Sequence, residues 1–248
     1  MKIYISAHNR KPELLRINSL VFDTLRVGFP TAEIEIWGNG RDEALNLHWL
    51  EQAARVEGKF VLRDEQTYGE RIQEWIDRMD EPFVICDTDI VFYDNMETVE
   101  WKGPLHGCHV PAFHCPFAKT RTVDRLHTHL LYFDPTQIRK SISRVRTVIP
   151  DNYLTPWADM ILPARVPHRS GWQFYDIAAA LYHTVGGYAF TPEIRDRYSH
   201  LNCGTISDLV GSSVGLDLTA AHQAIAENPE LGRGIWRKQD EFFKQYAV

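Results

Sequence analysis

The sequence predicts an α/β protein: an open, mostly parallel sheet flanked by helices, then an irregular second half and a helical C-terminal tail. Three observations carry that expectation. Strands and helices alternate four times in the first ninety residues, the pattern that closes into a parallel sheet through right-handed crossovers. The fourth strand is almost wholly apolar, as a central strand covered by helices on both faces must be. The 248 residues, 44% hydrophobic and 24% charged, are enough for one or two domains with a buried core and are too ordinary for a collagen-like, disordered or coiled-coil chain.

The elements follow in order. Lys2-Ile3-Tyr4-Ile5-Ser6 reads as a strand. Pro12 opens a helix, where its missing N–H costs nothing, and Leu14, Ile17, Val21 and Leu25 follow at helical spacing. Glu33 to Trp37 is the second strand, closed by Gly38-Asn39-Gly40. Asp42 to Val56 is the second helix, with Leu45, Trp49, Leu50 and Ala53 expected on one face. Lys59 to Leu62 is the third strand. Ile72, Trp75, Ile76 and Met79 form the apolar stripe of a third helix. Pro82 to Cys86 is the fourth strand. Beyond it, Leu105 to Phe113, His127 to Phe133 and Tyr188 to Thr191 read as strands. Pro135 to Val145, Trp172 to Val185, Asp217 to Ala226 and Glu230 to Tyr246 read as helices. No repeat, low-complexity tract or linker interrupts them.

Charge and cysteine content exclude several classes. A formal net charge of -6 is wrong for a general nucleic-acid binder or a polybasic membrane binder. No apolar run approaches the roughly 18 residues of a membrane span, and the segment from Met1 to Ala7 is too short and too alternating for a secretory leader. Cys86, Cys108, Cys115 and Cys203 fit reduced thiols better than a disulfide framework. A cytoplasmic protein without a transmembrane segment is expected.

Ligands of open α/β sheets bind beyond the carboxyl ends of the strands, and Asp87-Thr88-Asp89 stands there after the fourth strand. In extended chain, residues two apart point the same way, about 7 Å apart at Cα. Two such carboxylates repel one another unless a cation lies between them, and Mg²⁺ or Mn²⁺ commonly takes one or two protein carboxylates plus phosphate oxygens. The plainer alternative is a solvated strand-end turn, where Asp is common.

An alternating α/β half that ends in an apolar strand and D-x-D resembles the GT-A fold nucleotide-diphospho-sugar glycosyltransferases, a Rossmann-type architecture. The likeness covers residues 1–95 in pattern and weakens towards residue 210. Ala7-His8-Asn9-Arg10 resembles the family's nucleotide-contacting loop, Trp37-Gly38-Asn39-Gly40 its turn after strand two, and Phe83 to Phe92 its metal-binding core. The resemblance implies that Asp89 binds the metal directly and that Asp87 contacts ribose or the metal. It further implies that His200, in Tyr198-Ser199-His200-Leu201-Asn202-Cys203-Gly204, is a third ligand, against the plainer reading of a half-buried surface histidine. An imidazole ligand favours Mn²⁺ over Mg²⁺. Asp64 stands where the family often places an acid against the nucleobase, although a turn Asp is the simpler explanation. The implied domain is single, 1–248, with a nucleotide-sugar and metal half at 1–100, an acceptor-side half at 101–215 and the tail at 216–248.

Other groups keep two readings each. Asp176, at the start of an apolar helix, is a capping residue or the base that takes the acceptor hydroxyl's proton in an inverting transfer. Asp151 and Asp159 are reserves for that role, and a retaining enzyme needs none. Between residues 117 and 146, seven cations stand against two carboxylates, a local net of +5. This is a solvated helix face for Arg139 to Arg146 or a phosphate-facing group, for which Arg121 and Arg125 in a loop are the better candidates. Five of the eleven histidines lie between residues 106 and 129. His106, Cys108, His109, His114 and Cys115 carry the atoms of a zinc site but match no zinc spacing, and an acceptor pocket is the other reading. Strand alternation puts His127 and His129 on one face. Trp101, Tyr153, Trp157 and Trp172 are core aromatics or sugar-stacking platforms.

The expected activity is metal-dependent transfer of a sugar from a nucleotide-diphospho-sugar donor to a carbohydrate or other hydroxyl acceptor. A sugar nucleotidyltransferase is disfavoured, because Ser6-Ala7-His8-Asn9-Arg10-Lys11 lacks the glycines of a triphosphate loop. A non-catalytic nucleotide-sugar-binding relative is the remaining alternative.

Overall fold

The computed structural model describes residues 1–7, 12–38, 40, 42–64, 66, 68–115, 120–121, 124–142, 166–167, 173–174, 177–200 and 218–247. Its strands are β1 (Lys2–Ser6), β2 (Glu33–Trp37), β3 (Lys59–Val61), β4 (Phe83–Cys86), β5 (Ile90–Phe92), β6 (Leu105–Val110), β7 (His114–Cys115), β8 (Thr120–Arg121), β9 (Arg125–Phe133), β10 (Val166–Pro167), β11 (Gln173–Phe174), β12 (Tyr188–Ala189) and β13 (Tyr198–His200). Its helices are α1 (Pro12–Gly28), α2 (Glu43–Arg55), α3 (Tyr68–Arg78), α4 (Pro135–Ile142), α5 (Ile177–Val185), the single turn α6 (Pro192–Arg195), α7 (Leu218–Glu227) and α8 (Pro229–Tyr246). A mixed, mostly parallel seven-stranded sheet runs β12-β6-β9-β4-β1-β2-β3. β4 is the fourth of its seven strands and is buried along its whole length, the central strand that its apolar sequence predicts.

The chain divides into two compact units. One comprises Met1–Glu65, Cys86–Glu100 and Thr191–Glu241. Here β1, β2 and β3 pair in parallel, with Ile3 opposite Ile34 and Ile36 opposite Phe60. Asp42 caps α2, its carboxylate accepting from the Leu45 N–H at 3.0 Å. Leu45, Trp49 and Ala53 are buried on α2, whereas Leu50 is half exposed. The spacing expected Leu50 on the same face, but one residue beyond Trp49 turns it about 100° around the helix. The Arg26 guanidinium closes the ends of α1 and α2 by donating to the carbonyls of Phe29, Ala32 and Val56. Separate from the large sheet, β5 and β13 form an antiparallel pair that joins residues more than a hundred positions apart, with Ile90 opposite His200 and Phe92 opposite Tyr198.

The other unit comprises Gln66–Ile85, Trp101–Phe190 and Phe242–Val248. Ile72, Trp75 and Ile76 of α3 are buried, as their stripe requires. Phe83 lies between Trp75, edge-on at 6.3 Å, and Phe133, stacked at 5.2 Å. β6 and β9 are antiparallel, with a register shift between Gly107 and His109. The helix expected from Trp172 begins at Ile177 instead: Gln173 and Phe174 are extended and pair antiparallel with Pro167 and Val166, so their backbone partners come from a strand. Of the strand expected over 188–191, only Tyr188 and Ala189 form it, paired in parallel with His106 and Gly107. Thr191 then leads into α6, with Pro192 fixing its first turn.

Candidate metal centre

Asp87 and Asp89 do not converge in the way the sequence suggests. They lie between β4 and β5, with Thr88 and Asp89 in a turn and not on extended chain, so a turn and not strand alternation sets the placement of the carboxylates. α1 anchors that turn. The Asn18 side-chain amide, fully buried, donates to the Thr88 carbonyl at 2.6 Å. Thr24 Oγ1 accepts from the Phe92 N–H at 3.1 Å, at the far end of β5. Gly28 lets α1 approach closely, because a Cβ there would run into the Phe92 ring.

The third group arrives by strand pairing. His200, the last residue of β13, stands opposite Ile90, next in sequence to Asp89. Its Nε2 is 3.1 Å from Asp89 Oδ1, and one ligand atom from each of Asp87, Asp89 and His200 lies within 4.8 Å of the others. The His200 side chain is 10% exposed and that of Asp89 25%. Burial lowers the pKa of His200, but the Asp89 and Asp87 carboxylates outweigh it and the net shift is upward. Burial, then the charges of Asp87 and Asp89, push the thiol of Cys86, directly before Asp87, well above its ordinary range.

The donor set fits a divalent ion. Two carboxylates and one imidazole converge at a single point, and hard oxygen donors with one nitrogen suit Mn²⁺ in particular, and Mg²⁺ through the oxygens. Among the candidates read from sequence, the structure brings Asp87, Asp89 and His200 together. Asp64 follows β3 with its side chain exposed, beside Arg63, whose guanidinium lies 4.7 Å from the Trp37 ring centroid. The Arg63 carbonyl accepts from the Gly40 N–H, so Asp64 stands next to the turn after β2. Arg125 opens β9 opposite Val110, and Arg121 is placed by its backbone alone, opposite His114. His8, Asn9, Arg10, Asn39, Asp151, Tyr153, Trp157, Asp159, Trp172 and Asp176 lie outside the described residues.

Arg139 and His106 have structural partners. Arg139 donates to the carbonyls of Ile76 and Met79, at 2.5 and 2.6 Å, and to Asp80; it closes the C-terminus of α3. His106 is 3% exposed among the rings of Trp101, Tyr188 and Phe190. Cys108 is buried as well, and neither belongs to a converging ligand set among the described residues. His127 and His129 do share a face, their ring centroids 4.4 Å apart. Trp101 stacks on Tyr132 at 5.4 Å, which gives it a core partner.

Asn18 is a site-building residue that motif reading missed. The signal was present: Asn18 precedes the buried Val21 and Leu25 at helical spacing, where a polar side chain needs a specific partner.

No protein-family model matches the sequence, and no curated protein sequence matches it. Solved structures do. The galactosyltransferase LgtC, in complex with donor and acceptor sugar analogues, aligns over 95% of this chain and 100% of its own at 13% identity, TM-score 0.50. The glycosyltransferase GlyE of Streptococcus pneumoniae TIGR4 aligns over 96% of this chain at 9% identity, TM-score 0.53, and the chain spans 63% of that protein. The chain has the GT-A glycosyltransferase fold. Within this GT-A fold, D-x-D occupies the turn after the central strand and β13 adds the histidine. Among the described residues no helix is long and apolar enough to cross a membrane.

Proposed function

We propose that the protein is a metal-dependent glycosyltransferase that moves a sugar from a nucleotide-diphospho-sugar to an acceptor hydroxyl. The observation that carries this reading is the convergence of Asp87, Asp89 and His200 beyond the central strand of a GT-A fold. These three residues would hold the ion, Mn²⁺ or Mg²⁺. The chemistry supplied by the bound ion is Lewis-acid neutralisation of the diphosphate as the bond to the sugar breaks. For its part, His200 must give up any proton shared with Asp89 to present a neutral Nε2. The Asn18 bond to Thr88 holds the turn so that the two carboxylates need not reorganise. If the transfer inverts configuration, Asp176 is our proposed base for the acceptor hydroxyl. His8, Asn9, Arg10, Asn39, Asp64, Arg121 and Arg125 are proposed donor contacts, each to be tested as the alanine variant through its KM. A cytoplasmic setting is part of the same proposal.

The test is thermal unfolding against a panel of nucleoside diphosphates and their sugars, with Mn²⁺ or with EDTA, followed by donor hydrolysis. A bound ligand at about 100 times its dissociation constant adds about 2.7 kcal/mol of apparent stability. We expect a metal-dependent shift for at least one nucleotide, and hydrolysis that EDTA abolishes. Absence of any metal-dependent shift overturns the reading. A shift without turnover identifies a binding protein instead.

A further inference from the structure

His200 owes its place to a strand of only three residues, paired with another of three. A two-stranded ribbon this short is marginal by itself, so something else must fix the imidazole against Asp89. The C-terminal helix α8 does so through residues one turn apart on one face. Gly232 faces Ser199 and Tyr93: a Cβ at Gly232 would collide with the Ser199 hydroxyl and with the Tyr93 hydroxyl. Trp236, four residues on and 4% exposed, donates its indole N–H to the Tyr198 carbonyl at 2.9 Å and meets the Tyr198 ring edge-on at 5.4 Å. Asp240, four further, takes both terminal nitrogens of Arg195, at 2.9 and 2.5 Å. Positions 232, 236 and 240 thus meet 199, 198 and 195 in turn, and the helix runs antiparallel to the segment that ends in His200. Behind the ribbon, Tyr93 donates to the Ile225 carbonyl of α7.

We propose that α8 sets the metal affinity of the site, with Gly232 and Trp236 as positioning residues that hold β13, and with it His200 Nε2, at the Asp87–Asp89 turn. The inference rests on the metal reading above and adds a control element to it: a helix outside the ligand set whose docking decides whether the third ligand is in place. Replacing Gly232 by Ala must push α8 off Ser199 or push Ser199, the neighbour of His200, along the ribbon. Trp236→Phe keeps most of the ring packing and deletes the bond to the strand backbone.

The experiment measures Mn²⁺ binding directly, by loss of the free-ion EPR signal, in the folded protein and without donor sugar. Gly232→Ala should weaken binding by about tenfold or more, the scale on which groups supporting metal ligands act, and Trp236→Phe by a few-fold. Adding Ser199→Ala and Tyr93→Phe to Gly232→Ala makes room for the methyl group and should restore most of the affinity. Asp42→Ala, in the same unit, removes the cap of α2 and should lower the melting temperature without changing Mn²⁺ affinity. Equal affinities in Gly232→Ala, Trp236→Phe and wild type overturn the inference, as does a matching loss in Asp42→Ala. Should Gly232→Ala fail to fold, Trp236→Phe against Asp42→Ala decides alone. A wild-type protein that binds no Mn²⁺ overturns the metal reading itself, a distinct result.

Discussion

Two regions of this molecule carry polar side chains of similar prominence and use them in opposite ways. Around the β4–β5 turn and β13, Asp87, Asp89 and His200 are turned towards one another. In the other unit, Arg139 and His106 are spent on the fold: Arg139 on two carbonyls of α3's end and on Asp80, His106 among three aromatic rings with the Ala189 backbone as partner. The electrostatics separate the two histidines. Burial lowers both, but two carboxylates reverse the effect at His200, whereas at His106 burial prevails and Lys102 adds to it. Burial of a titratable residue therefore says little about its role. Whether its partners are other chemistry-bearing side chains or the backbone says much more.

The largest effect expected from this contrast is at Asp89. Asp89→Ala removes a ligand and the nearest counter-charge of His200, and Mn²⁺ affinity should fall at least a hundredfold, beyond the range of supporting groups. Donor turnover should be lost with it while the fold survives. Retained Mn²⁺-dependent turnover in this variant would place the metal elsewhere. Arg139 supplies the converse. Hydrogen bonds to a charged group contribute about 1.5–3 kcal/mol, so Arg139→Gln should cost about 2 kcal/mol in denaturant unfolding and leave Mn²⁺ affinity and donor KM unchanged. A raised KM at unaltered stability would return Arg139 to the phosphate-binding role that its basic neighbourhood suggests.

Legibility in the sequence follows the range of the interactions. The sheet's first four strands were readable, because alternation, the α3 stripe and the apolar run before Asp87 are local signals. D-x-D was readable for the same reason, although its geometry was not: a turn, and not pleated alternation, aims the carboxylates. His200 stood out only through a family resemblance, since nothing local tells a strand-end histidine that it will pair opposite Ile90. The docking of Gly232 and Trp236 on Ser199 and Tyr198 was invisible, and Asn18 could be marked as needing a partner but not matched to Thr88, because each contact joins residues far apart in sequence. The basic segment was legible only as charge. Composition counts charges, but it cannot see that the partners of Arg139 are carbonyls at the end of a helix some sixty residues earlier.

The smallest effect expected is a pH dependence from His106. Its folded pKa lies below the ordinary 6.5, with burial as the main cause, the Ala189 backbone opposing and Lys102 adding to it. As pH falls through 6.5 the unfolded chain takes up the proton first, so its proton count exceeds that of the folded protein and stability declines. The contribution is whole above pH 6.5 and is lost on acidification towards the folded value, after which the loss levels off. His106→Phe keeps an aromatic ring among Trp101, Tyr188 and Phe190 and removes the titration. Denaturant unfolding of the wild type and this variant at pH 7.5 and pH 5.5, in EDTA so that no bound ion adds its own pH dependence, isolates the group. The difference between the two proteins should shift in favour of the variant at the lower pH. A difference that does not change with pH would mean that the folded protein accommodates an imidazolium at position 106. The aromatic pocket would then be a polar site, and the distinction between its histidine and His200 would fail.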